Sequence, residues 1–145
     1  MSEALFPVFE VPDFIDESSE YDSRYKRSVM WDVEKGDFVR DGAHRMAECD
    51  GKEAYMIWCF KTVQTERYTR LAYPSSIGTE MEAALADDDE KTVESMIQRT
   101  VTDALMVNPR TEYVRDFVFW WDADSLHYQF EVKGIEWEDT ITISI

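Results

Sequence analysis

Acidic side chains are the most numerous groups in this sequence that could take part in chemistry, with 31 Asp and Glu residues in a chain of 145. Two carboxyl groups can cleave a glycosidic bond when one of them keeps its proton. Pairs are unavoidable among so many acids, however, and no pair stands out by its position. Asp122 and Asp124 resemble calcium ligands, yet their loop lacks the glycine and the distal Glu of an EF-hand. We therefore interpret Asp122–Ser125 as a turn.

The other patterns that mark catalytic or metal sites are missing. The sequence has two histidines, His44 and His127, and it has no HExxH motif, no phosphate-binding glycine loop and no GxSxG nucleophile motif. Cys49 and Cys59 are not spaced as CxxC and sit among apolar or helix-forming neighbours, which predicts buried, reduced thiols. We predict that the protein is not an enzyme and uses no metal or cofactor.

Two arginines stand at the ends of predicted helices and are candidates for contacts with carboxylates. Arg67 is followed by Tyr68, and Arg110 follows Asn108 and Pro109. A guanidinium group donates two hydrogen bonds at once to a carboxylate. Each arginine therefore either clamps a helix end inside the chain or reaches a carboxylate of a partner, and both interpretations stay open.

The overall charge restricts the possible partners. Fifteen Lys and Arg residues against 31 Asp and Glu give a formal net charge of −16. A field of this sign repels nucleic acid and anionic membranes and attracts basic protein surfaces. An alternative function is that the acidic surface imitates DNA and inhibits a nucleic-acid-binding protein. No basic region precedes an apolar run at the N-terminus, so we predict no signal peptide and a protein made in the cytoplasm.

The order of the hydrophobic patterns is strands, then helices, then strands, which predicts an α+β fold. We expect a mainly antiparallel sheet with two longer helices and one short helix packed on one face. Residues 1–27 are predicted to form an extended N-terminal arm, because Pro7 and Pro12 favour extended backbone at the residues before them. Residues 28–145 are predicted to form a single domain.

Three helices are predicted in the middle of the chain. The first begins at Asp50, where Glu53 completes a capping-box pattern, and it runs to about Arg67. A short helix follows over residues 81–85. The third helix begins in the acidic stretch of residues 87–90. Its apolar stripe comprises Val93, Met96, Ile97, Val101, Ala104 and Leu105.

Strands are predicted on both sides of these helices. A hairpin over residues 29–40 comes first, with a short third strand within His44–Cys49. Val114–Trp121 is dense enough in apolar residues to be covered on both faces. Leu126–Lys133 alternates between apolar and polar residues, which predicts a half-exposed strand, and Thr140–Ile145 alternates in the same way.

Several motifs and their order resemble those of a known family. They are Gly36-Asp37-Phe38, Gly51-Lys52-Glu53-Ala54, Thr65-Glu66-Arg67-Tyr68, the stretch from Tyr73 to Glu80, and Asn108-Pro109-Arg110. Over about residues 28–133 the chain resembles the prophage version of the small baseplate wedge protein of contractile tails, also called the sheath initiator. Members of that family have Glu-Pro-Arg at the last motif, so only Arg110 can be carried over as its arginine.

The resemblance implies a structural protein of the virion tail baseplate or of a tail-like particle, made in the cytoplasm of a bacterial host. Members lie on the wedge core next to the tail tube and offer a sheet to which strands of the first sheath ring are added. The implied partners are the tail sheath protein and the baseplate wedge core proteins, with tail tube or hub proteins as further candidates. Neither nucleic acid nor a membrane is an expected partner.

A free sheet edge is the site that such a function needs, because its main-chain groups can pair with an added strand. We predict that this edge is either Leu126–Lys133 or Thr140–Ile145. Proline at Ile143 removes one main-chain donor of the last strand, so we expect sheath polymerisation to fail while the isolated domain survives. The candidate partner-binding residues are Arg67, Tyr68, Arg110, Ile141, Ile143 and Ile145. The family has also been labelled a tail lysozyme, so the second alternative function is an acidic cell-wall hydrolase.

Overall fold

The computed structural model describes residues 27–145. Within them the elements are β1 (Ser28–Val29), β2 (Trp31–Asp32), β3 (Asp37–Phe38), β4 (Glu48–Cys49), α1 (Gly51–Gln64), α2 (Met81–Leu85), α3 (Glu90–Met106), β5 (Thr111–Asp122), β6 (Ser125–Gly134) and β7 (Ile141–Ser144). The predicted α+β class is confirmed. The predicted arm lies outside the described residues except for Arg27, and the division into an arm and one domain stays a prediction.

The largest sheet has three antiparallel strands in the order β5-β6-β7. Its central strand alternates, and Phe130 and Val132 point into the main core. Helices α1 and α3 contribute to the same core with side chains such as Tyr55 and Ile97, both fully buried. The layer of helices and the sheet therefore share one apolar interior, as the order of the sequence patterns predicts.

The expectation that Val114–Trp121 is covered on both faces is wrong. Phe117 and Phe119 of β5 pack against the core, but Val118 and Trp120 are 49% and 43% exposed. Successive side chains of a strand point to opposite faces. Within residues 27–145 the helices cover one face of this sheet, so alternate residues of β5 meet solvent.

Two small antiparallel sheets precede α1. β2 pairs with β3 as the predicted hairpin, and the Asp32 carboxylate accepts two backbone hydrogen bonds in its turn, the shorter at 3.0 Å. β1 pairs with β4, which confirms a third strand within His44–Cys49. The Lys61 ammonium of α1 lies 5.1 Å from the ring centre of Trp31, a cation–π contact that holds the hairpin on the helix.

Helix α1 begins directly after Asp50, as predicted, but it differs from the prediction in its capping and at its C-terminal end. Asp50 precedes the first turn, but its side chain accepts no capping hydrogen bond, so the capping box with Glu53 is wrong. The helix ends before Thr65 instead of near Arg67. Thr65 has extended backbone, and its carbonyl oxygen accepts a hydrogen bond from the N–H of Thr79 at 2.8 Å. This contact draws the chain out of the helix.

Helix α3 begins in the acidic stretch, as predicted. The Asp89 carboxylate caps it and accepts a hydrogen bond from the N–H of Thr92 at 3.0 Å. Five of the six predicted stripe residues are buried, whereas Met96 is 38% exposed. Thr100 is buried on the same side, and its hydroxyl accepts a hydrogen bond from the N–H of Glu80 at 2.8 Å. That bond ties α3 to the start of α2.

Candidate docking edge

The last strand, β7, forms one edge of the three-stranded sheet. It pairs with β6 on one side, and no strand among residues 27–145 pairs with its other side. Because β6 lies between β5 and β7, the prediction that Leu126–Lys133 offers a free edge is wrong. The second candidate, Thr140–Ile145, contains β7 and does lie at an edge.

The hydrogen-bond register determines which main-chain groups of β7 face outward. Tyr128 and Ile145 exchange two hydrogen bonds, with N···O distances of 3.0 and 2.9 Å. Hydrogen-bonded and non-hydrogen-bonded pairs alternate along an antiparallel ladder. Ile143, two residues before Ile145, therefore also directs its N–H and C=O towards β6. The main-chain groups of Thr142 and Ser144 point away from the sheet.

This register corrects the prediction for Ile143. Its N–H faces β6, so a proline there breaks the internal ladder instead of removing an outward donor. The side chains of Ile141 and Ile143 are buried in the core, and Ile145 is partly buried and packs against it. These three isoleucines hold β7 in position, while the outward hydrogen-bonding groups belong to Thr142 and Ser144.

β5 forms the opposite edge, and it is interrupted. Its register with β6 shifts between Arg115 and Val118, which marks a β-bulge, and Asp116 within the bulge has a φ of 57°. A bulge and charged side chains break the row of main-chain groups that an added strand needs. The pairing of β7 with β6 shows no such shift. β7 is therefore the edge better suited to strand addition.

One flank of α1 lies beside β7. The Lys52 ammonium is 3.2 Å from the Asp139 carboxylate, just before the strand, and the last turn of α1 lines the same cleft as Ile145, the residue directly after β7. Helical spacing of four residues brings Met56 and Phe60 to the flank of Lys52. Met56 is 38% exposed. A strand added to β7 would therefore meet apolar surface beside the edge.

Arg67 binds within the chain. Its Nε and Nη2 atoms donate to the carbonyl oxygen of Gly78 at 3.2 and 3.0 Å. Gly78 has a φ of 102°, and a Cβ there would lie 2.6 Å from the carbonyl oxygen of Thr65, so a larger residue does not fit. The neighbouring Tyr68 is 70% exposed. The internal clamp is therefore present at Arg67, and contact of Tyr68 or Arg67 with a partner stays a prediction.

Arg110 also has a carboxylate partner in its own chain. Its Nη1 lies 2.6 Å from Oε1 of Glu136, and the two side chains are only 12% and 13% exposed. The backbone N–H of Arg110 donates to the side-chain oxygen of Asn108 at 3.0 Å, which orders the exit from α3. Sequence reasoning missed Glu136 because it follows β6, 26 residues further along the chain. Contact of Arg110 with a partner stays a prediction.

The two cysteines are free and buried, as predicted. Burial raises the pKa of the Cys59 thiol to about 12, and burial together with nearby acids raises the pKa of Cys49. Neither is therefore a thiolate nucleophile at neutral pH. Among residues 27–145, no three His, Cys, Asp or Glu side chains are grouped so that they could hold a metal ion. The helices of this part of the chain are too short or too polar to cross a membrane.

Comparison with known proteins identifies the family. Residues 27–137 match the model of the contractile injection system sheath initiator. The chain belongs to this family. It is 32% identical over 90 residues to the phage-like element PBSX protein XkdS of Bacillus subtilis (strain 168), a match that covers 59% of this chain and 62% of that protein. The matched region is thus less than two thirds of the relative's length.

Membership of the sheath initiator family confirms the resemblance seen in the motifs of residues 28–133. It assigns the chain a structural role in a contractile tail of phage or prophage type. For a protein with that role, the features that matter are surfaces and edges that neighbouring subunits can bind. The free edge of β7, with the apolar flank of α1 beside it, is such a feature.

Proposed function

We propose that this sheath initiator links the baseplate wedge core to the first ring of the sheath, and that it starts sheath assembly by accepting a strand along β7. The observation that supports this proposal is the outward direction of the main-chain groups of Thr142 and Ser144. The partners are the tail sheath protein and the wedge core proteins, with tail tube or hub proteins as neighbours. The protein acts at the virion tail baseplate and carries out no catalysis.

The outward main-chain groups are too few to hold a partner alone. Thr142 and Ser144 offer two N–H and two C=O groups, and a hydrogen bond contributes about 0.5–1.5 kcal/mol net, or about 2–6 kcal/mol for four. Association of two proteins costs about 4–15 kcal/mol in lost freedom of motion. Strand addition at this edge therefore also requires burial of apolar surface.

The flank of α1 supplies such surface. Alternate side chains of an added strand would point towards the helix layer, where Met56 and Phe60 lie beside the edge. One aromatic side chain of the partner buries about 150 Å², which at about 25 cal/mol per Å² contributes about 4 kcal/mol. The hydrogen bonds of the edge and the apolar burial on the flank together contribute a free energy within the range that association of two proteins costs.

Thr142→Pro tests the proposal, with Ile143→Pro as its matched control. Proline has no N–H, so at Thr142 it removes an outward donor, a change that edge strands tolerate. We expect the isolated Thr142→Pro protein to keep its thermal unfolding midpoint within a few degrees. Particles assembled with this variant should lack sheath in electron micrographs, because the first sheath strand can no longer pair with the N–H of residue 142.

At Ile143 the same substitution removes a hydrogen bond to β6 and leaves a buried acceptor unpaired, which costs about 1–3 kcal/mol. We expect Ile143→Pro to lower the free energy of unfolding by that amount in urea titrations. Sheath of normal length on particles that carry Thr142→Pro would contradict strand addition at β7. Loss of stability in Thr142→Pro as large as in Ile143→Pro would show that the register assigned to β7 is wrong.

A further inference from the structure

A cleft of about 690 Å³ opens at the end of β7. It lies between the last turn of α1, helix α2, the start of α3 and the turn that joins β5 to β6. Ile145, directly after β7, is one of its lining residues. The cleft is thus continuous with the edge at which we propose strand addition.

The cleft combines an apolar floor with an acidic rim. The apolar lining includes Val93, Ile97 and Trp121, and the acidic lining residues are Glu66, Asp87, Asp88, Glu90 and Asp124. No Lys, Arg or His is among the described residues that line it. A ligand that fits both surfaces carries positive charge next to a large apolar group.

Three of the rim carboxylates are available to a ligand. Glu66 is used internally, since its carboxylate accepts a hydrogen bond from the N–H of Met81 at 3.1 Å. Within the described part of the chain, the side chains of Asp88, Glu90 and Asp124 form neither a hydrogen bond nor an ion pair. Their negative charge is therefore not neutralised by any cation among residues 27–145.

We propose that this cleft binds a segment of a partner polypeptide in which a Lys or Arg side chain stands next to a large apolar side chain. The inference deepens the proposed function and rests on it, because a strand that pairs along β7 can continue past Ile145 into the cleft. The cationic side chain lies at the rim near Asp88 and Asp124, and the apolar side chain lies on the floor. The cleft thereby adds the burial that the short edge lacks.

The chain's own N-terminal residues are a poorer match to the rim. Residues 1–26 contain seven acidic residues and two basic ones, Arg24 and Lys26. Like charges repel the acidic rim. A partner segment of opposite charge is therefore the occupant that the electrostatics favour.

The test uses the full-length protein and the tripeptide acetyl-Lys-Leu-Lys-amide, with acetyl-Glu-Leu-Glu-amide as the charge-reversed control. The indole N–H of Trp121 is a local reporter, because Trp121 lines the cleft and donates to the Glu94 carboxylate at 3.1 Å. We expect the basic peptide to shift the nitrogen–proton NMR signal of this indole in a saturable, salt-sensitive manner. The acidic peptide should leave the signal in place.

The double variant Asp88→Asn/Glu90→Gln should weaken binding of the basic peptide by roughly threefold to tenfold, because two exposed charge contacts are lost. The matched control, Glu34→Gln/Glu138→Gln, removes the same charge at exposed positions outside the cleft and should leave the affinity unchanged. Equal loss in the two double variants, or binding of the acidic peptide, would overturn the proposal. An equal shift of the Trp121 signal by Mg²⁺ alone would do so as well.

Two further measurements test whether residues 1–26 occupy the cleft and whether peptide binding there is independent of strand addition at β7. If residues 1–26 fill the cleft, Arg24→Gln/Lys26→Gln would raise the affinity for the basic peptide, and this result would overturn assignment of the cleft to a partner. Thr142→Pro should bind the tripeptide with the affinity of the unmodified protein, because the peptide binds in the cleft and does not pair with β7. Failure at the cleft is therefore distinguishable from failure of strand addition.

Discussion

At the residue scale, Arg110 and Glu136 show how the chain uses its few cations. Their side chains are 2.6 Å apart and almost enclosed, so neither charge is well solvated. Breaking a buried ion pair by removing one partner is costly because the remaining charge stays desolvated. The pair joins the exit of α3 to the segment after β6, and the N–H of Ile135 donates to the carbonyl oxygen of Arg110 at 2.9 Å in the same junction.

Arg110→Ala should lower the free energy of unfolding by about 3–5 kcal/mol, since Glu136 then loses the guanidinium group that it contacts in a nearly buried ion pair. Urea titrations of Arg110→Ala, Glu136→Gln and the double variant measure this loss and the coupling between the two residues. If Arg110 acts only inside the chain, the two single variants should impair particle assembly equally. Greater impairment by Arg110→Ala would indicate that its guanidinium also contacts a partner, and unchanged stability in both would refute the internal clamp.

Residue-scale features were predictable from the sequence only in part. Arg67 and Arg110 stand out because both follow predicted helices in a chain that has about twice as many acids as cations. Their acceptors, the Gly78 carbonyl and the Glu136 carboxylate, carry no sequence signal, because any of 31 acids or any carbonyl could serve. Whether the main-chain groups of Thr142 point outward depends on which residues of β7 form hydrogen-bonded pairs with β6. The alternation of apolar and polar side chains does not reveal that pairing.

At the element scale, the pattern of the helices was the most predictable part of the fold. A period of 3.6 residues marks the buried side of α3, and the structure differs only at Met96. The strands were harder, because a dense apolar run such as Phe117–Trp121 predicts burial on both faces whether or not a second layer exists. Which strand lies at an edge depends on strand order, and this order is set by contacts distant in sequence.

The flank of α1 gives a prediction at this scale. Met56→Glu places a charge beside β7, where the proposed sheath strand covers apolar surface, and Met96→Glu is a matched control because both methionines are 38% exposed. We expect the two variants to unfold at similar temperatures, and only Met56→Glu to reduce the fraction of particles with sheath. An equal effect of both variants on sheath would mean that the α1 flank is not covered in the assembled tail.

At the scale of the whole molecule, the net charge of −16 opposes compaction and association of free copies. Ion pairs within the chain cannot cancel it, because 31 acids face only 15 Lys and Arg residues. Most of the pairs are on the surface, as for Lys35 with Asp32 or Arg99 with Asp103, and such pairs contribute about 0–1 kcal/mol each. Repulsion among the excess acids therefore outweighs attraction.

Salt should consequently stabilise this protein, although salt weakens individual surface ion pairs. Raising the ionic strength from about 0.01 M to about 0.15 M shortens the screening length from about 30 Å to about 8 Å, which removes most of the long-range repulsion and leaves contacts such as Arg110 with Glu136 intact. We expect the thermal unfolding midpoint to rise by several degrees in sodium chloride, measured by calorimetry at neutral pH. Lys35→Gln serves as a control, because it removes only one exposed ion pair. It should change the thermal unfolding midpoint by no more than about a degree, and the midpoint should depend on salt concentration as in the unmodified protein. A midpoint that falls with added salt would mean that the surface pairs dominate, and the repulsion assigned to the −16 charge would then be too weak to keep free copies apart before they meet the sheath.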